Sequence, residues 1–83
     1  MTTDLIEARI LELTTERGTA ASICPSEVAR SLRPEAWQSL LTPVRQAAIR
    51  LMQAGQIDIL RKGRPVAAEA VRGVIRLRQR GPA

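Results

Sequence analysis

The sequence predicts a mostly α domain closed by a small antiparallel β-ribbon. Apolar residues recur at helical spacing in the first two thirds of the chain, and two short runs near the end alternate apolar and polar instead. With 83 residues, 45% of them hydrophobic and 25% charged, there is material for one core and one domain, residues 1–83, with 79–83 expected to fray.

The first helix is expected to begin near Asp4, with Asp4 as N-cap and Glu7 completing a capping box. Ile6, Ile10 and Leu13 share its inner face with Leu5 beside them, Glu7, Arg9, Glu12 and Glu16 face water, and Gly18 stops it. A connector follows, with a short strand possible at Ser22-Ile23-Cys24. Pro25 then suits the first position of a second helix, whose missing N–H costs nothing there. Val28, Ala29 and Leu32 form its apolar face, and Pro34 ends it after about two turns. Residues 35–41 read as a short helical turn carrying Trp37, Leu40 and Leu41 inward, with Trp37 as a core anchor.

Thr42-Pro43 is expected to open a third helix, 43–54, as N-cap and first-position proline. Val44, Ala47, Ala48, Leu51 and Met52 gather on one side of it; Arg45, Gln46, Arg50 and Gln53 gather on the other, and Gly55 ends it. Gln56 to Arg61 alternates as a strand, with Ile57 and Ile59 on one face and Asp58 and Leu60 on the other. Lys62-Gly63-Arg64-Pro65 is a turn, 66–73 has room for one helical turn, and Val74 to Arg78 is a second strand with Ile75 and Leu77 inward.

Three helices followed by a two- or three-stranded antiparallel wing are the element order of a winged helix-turn-helix. The chain also resembles a small uncharacterised bacterial winged-helix family in four places. These are ICPSEVAR (Ile23 to Arg30), the tryptophan that follows (Trp37), VRQAAIRLMQAGQI (Val44 to Ile57), and KGRPV with GVIRLR (Lys62 to Arg78). The resemblance spans nearly the whole chain and implies the fold and a bacterial source; it brings no activity and no ligand. One departure from an ordinary helix-turn-helix is plain: nine residues, 33–41, separate the second and third helices where roughly 3–4 are usual.

Charge is divided unevenly. Residues 1–44 carry a net −2, whereas residues 45–83 hold nine cations against Asp58 and Glu69, a net +7. Twelve of the thirteen cations are arginine, whose planar fork suits phosphate and guanine edges. The expected partner is duplex DNA, attracted to that half by its phosphates. Arg45, Gln46, Arg50 and Gln53 are the expected base-contacting face, with 43–54 in or near the major groove. Arg61, Lys62 and Arg64 are expected on the backbone at the wing tip, with Arg76 and Arg78 (and Arg80 beyond them) as a phosphate stripe. Each group has a plainer reading as well: a solvated helix face, a solubilising hairpin tip, a charge-protected strand edge.

The alternative is a protein-interaction module, a homodimer or a complex with another protein, using Ile49, Leu60 and Val74 as an apolar patch. RNA is disfavoured by the near absence of aromatics for base stacking. No enzyme, metal or cofactor is expected: the chain has no histidine, a single cysteine, scattered carboxylates and no phosphate-loop motif. Cys24 is expected to be structural, since nothing is there to activate it. A lone cysteine, no run of about 18 apolar residues and an acidic start point to a soluble cytoplasmic protein.

Overall fold

The computed structural model describes residues 2–81. Three α-helices, α1 (Thr3–Arg17), α2 (Pro25–Leu32) and α3 (Leu41–Gln53), precede strands β1 (Ile57–Arg61), β2 (Arg64–Pro65) and β3 (Arg76–Gln79). Two 3₁₀ turns, Trp37–Leu40 and Ala68–Ala70, sit before α3 and between β2 and β3. The strands form one antiparallel sheet in the order β2-β1-β3, a winged-helix-like layout. In place of the short strand expected at Ser22-Ile23-Cys24, Ile23 alone bridges Leu77 of β3 through a pair of 2.8 Å backbone bonds, which ties the α1–α2 connector to the sheet.

Local chemistry explains most boundaries. The capping box expected at Asp4 is replaced by Thr2, whose hydroxyl accepts from the Leu5 amide at 3.3 Å; Asp4 falls within the first turn, where its charge favours the helix dipole. Gly18 stops α1 with φ +79°, its amide donating to the Thr14 carbonyl. Pro25 occupies the first turn of α2, and α2 ends at Leu32, as expected. The Thr42 cap is not realised. The 3₁₀ turn at Trp37–Leu40 runs directly into α3, so the helix starts at Leu41 without a side-chain cap, and Pro43 lies in the first turn, where its missing N–H is still harmless.

The hairpin between β1 and β2 turns over two residues, Lys62 (φ +55°) and Gly63 (φ +80°), both left-handed as a type I′ turn requires. Its ladder continues through the Val66 amide, which donates to the Ile59 carbonyl at 2.9 Å. Gln79 pairs with Ile57, and the Arg80 amide donates to the Gln56 carbonyl at 3.3 Å. Pro82 and Ala83, the rest of the expected frayed end, lie outside the described residues.

The core lies where the helices meet the sheet. Ile6 and Ile10 from α1, Val28 and Ala29 from α2, Val44, Ala47, Ala48 and Leu51 from α3, and Ile57, Ile59, Ile75 and Leu77 from the ribbon are all buried. Each large aliphatic among them contributes about 1.5–3 kcal/mol by leaving water, and this aliphatic packing stands in for the missing aromatics. Thr14, the one buried polar residue among those described, donates its hydroxyl to the Ile10 carbonyl at 2.8 Å. Trp37 is only half-buried. It packs on the rim of the core with the Arg30 guanidinium 4.4 Å above its ring, so it is a covering residue and not the expected central anchor.

Candidate functional site

Helix α3 turns Val44, Ala47, Ala48 and Leu51 inward, which leaves Thr42, Gln46 and Gln53 exposed along the opposite side. Arg45 and Arg50 stand on the two flanks of that strip, and both are engaged. Arg45 donates from Nη2 to the Gly73 carbonyl at 2.7 Å, fastening the loop between β2 and β3 beside α3. Arg50 reaches across to α1, its Nε 2.9 Å from Glu7 Oε2. Ile49 packs against the core and is half-buried.

The stripe of guanidiniums expected on β3 is likewise occupied. Arg76 donates to both Oγ and the carbonyl of Ser22, at 2.8 Å each. Asp58 collects the other two: Arg78 Nη2 lies 3.2 Å from its Oδ2, and Arg80 bonds its Oδ1 through Nε and Nη2 at 3.1 and 3.0 Å. Register explains the first of these pairs, since Asp58 and Arg78 are directly opposite across β1 and β3. Arg9 pairs with Glu12, Arg17 with Glu27, Arg33 donates to Ser39, and Arg30 lies over Trp37.

Four of the thirteen cations remain. Among the described residues, Arg61, Lys62, Arg64 and Arg72 make no side-chain hydrogen bond or ion pair, and all four belong to the hairpin and the loop after it. The expected wing-tip cations are thus unpartnered, as is Arg72 on the loop after the hairpin, whereas Arg45, Arg50, Arg76 and Arg78 are tied into the fold. Arg72 escaped the sequence reading because residues 66–73 show neither helical nor alternating periodicity.

The expected apolar patch does not form. Leu60 is 6% exposed and Ile49 packs inward, leaving Val74, at 84% exposed, as its one open member. Val74 instead stands at the lip of an open cleft of about 430 Å³ walled by Pro25, Trp37, Leu41 and Ile75, with Arg45 at its edge. Cys24 lines the same cleft, half-buried, with Ser26 Oγ donating to its sulfur at 3.1 Å. Among the described residues no group of acids and cysteines is arranged to hold a metal ion, and no helix is long and apolar enough to cross a membrane.

Three helices, an antiparallel sheet and a basic hairpin at its edge define a winged-helix-like protein with an uncompensated cationic wing. Within that class the chain belongs to the family DUF3253, described as a protein of unknown function, which it matches over residues 3–80. A search of curated proteins gave no match.

Proposed function

We propose that this domain binds duplex DNA chiefly through its wing. Arg61, Lys62, Arg64 and Arg72 take phosphates, and the exposed strip of α3 with Gln46 and Gln53 lies toward the groove. The supporting observation is the sorting of polar contacts: nine cations have a partner inside the molecule, five of them a carboxylate, whereas Arg61, Lys62 and Arg64 on the hairpin and Arg72 on the loop after it have none. Three unpartnered cations on one hairpin are the kind of charge that can release counterions from a polyanion. Arg50 can add to this surface at small cost, because its pair with Glu7 is the more open one and exposed pairs are worth only about 0–1 kcal/mol, whereas Arg78 is held more firmly by the half-buried Asp58. Arg45 and Arg76, held by backbone and hydroxyl oxygens, border it. Gln46 is the residue placed for a bidentate contact with adenine, a contact worth roughly 1–3 kcal/mol of discrimination.

The test is salt-titrated anisotropy on random-sequence duplex DNA. Four phosphate contacts give a log–log slope of about −3.6, so affinity falls about 100-fold between 50 and 200 mM salt. Replacing the four wing cations by glutamine is expected to weaken binding strongly and to cut the slope by about 3.6. An unchanged slope in that variant overturns the proposal, as does salt-insensitive binding by the parent; self-association without DNA binding would favour the protein-interaction reading instead.

A further inference from the structure

The cleft between the start of α2, the Trp37 turn and the loop before β3 touches the DNA reading only at Arg45, on its border. We propose that it is a binding site for a small apolar carboxylate, an aryl- or alkyl-substituted acid whose carboxylate takes the Arg45 guanidinium. Size and lining agree with this. About 430 Å³ falls within the roughly 300–1,000 Å³ usual for small-molecule sites, and Pro25, Trp37, Leu41 and Ile75 supply apolar walls. Val74 at the lip is the most exposed of the large hydrophobic residues and would be covered by the body of such a ligand.

Charge selects the head group. None of the nine lining residues is acidic, and Arg45 is the only charged one. Its single bond, from Nη2 to the Gly73 carbonyl, leaves the other guanidinium N–H groups uncommitted. A planar carboxylate meets that fork with two charge-assisted hydrogen bonds, whereas a neutral amide of the same shape meets it with one acceptor oxygen. A free acid fits better than the end of a protein chain because the cleft is of small-molecule volume.

Trp37 is the chain's only aromatic residue, so its emission reports the cleft without interference. Phenylbutyrate titrated into the full chain is expected to shift Trp37 emission saturably, half-complete at about 1 mM or below, with phenylbutyramide at least ten-fold weaker. Arg45→Met should lose at least ten-fold for the acid and little for the amide. Val74→Glu, at a position that bears no packing, sets a like charge at the lip and should weaken the acid in the same way even if Arg45→Met fails to fold. Equal affinity for acid and amide, unchanged binding in Val74→Glu, or no emission change with phenylbutyrate or octanoate up to about 10 mM overturns the proposal. Tighter binding of an acetylated tripeptide ending in leucine than of either acid also overturns it. Because the readout involves no DNA, the site stands or falls apart from the wing.

Discussion

Lys62 holds a left-handed conformation, φ +55°, that asparagine or glycine adopts more easily, at the first central position of a type I′ turn. Lys62→Asn is therefore expected to raise stability by about 0.5–1 kcal/mol in urea unfolding while lowering the DNA salt slope by about 1. A variant that is more stable yet binds DNA as before would show that the ammonium group is not part of the contact. Asp58 gives a complementary experiment, because Arg78 and Arg80 share its one carboxylate. Asp58→Asn leaves a hydrogen-bond acceptor in place but removes the one negative charge, and the slope should steepen by about 1. An unaltered slope would place those two guanidiniums away from the phosphates. Neither effect concerns the fold; both concern which charges remain available after the protein has satisfied its own.

At the scale of elements, periodicity was informative wherever one face had to be buried. The inward set of α3, the Ile57–Ile59 and Ile75–Leu77 faces of the ribbon, the stop at Gly18 and the Pro25 start all follow from residue spacing and backbone preference. What spacing does not carry is the neighbour across a gap. Thr42 and Pro43 make a sound local cap signal, yet the preceding 3₁₀ turn delivers the chain already helical at Leu41, so the signal goes unused. The polar flank of α3 was legible as polar; that Arg50 would spend its charge on Glu7, 43 positions away, depends on how α1 crosses α3. The Arg45–Gly73 bond depends in the same way on a loop with no pattern of its own. The wing tip was legible because a hairpin turn and its charges are local to one another, and the cleft was not because its walls come from three separate segments.

For the molecule as a whole, β3 is the piece on which the others converge. Leu77 is fully buried, pairs with Ile59 on one side and with Ile23 on the other, and its strand packs against α1. Leu77→Ala is expected to cost about 2–5 kcal/mol, a large share of the roughly 4–12 kcal/mol available to a domain of this length. Its thermal melt should move down by well over 5 °C; a shift of a degree or two would mean that the sheet closes adequately without this side chain.

That convergence sets the order in which the chain can organise itself. The first helix finds its sheet partner, and the 21–24 connector its backbone bonds, only once residues 76–79 exist, since Ile23 has no ladder to join before then. Helices can flicker early, but the closing contacts span more than fifty residues, and loop closure across that distance comes late. During synthesis from the amino end, α1 can pack on α2 and α3 early, but its contacts with the sheet and those of Ile23 wait for β3.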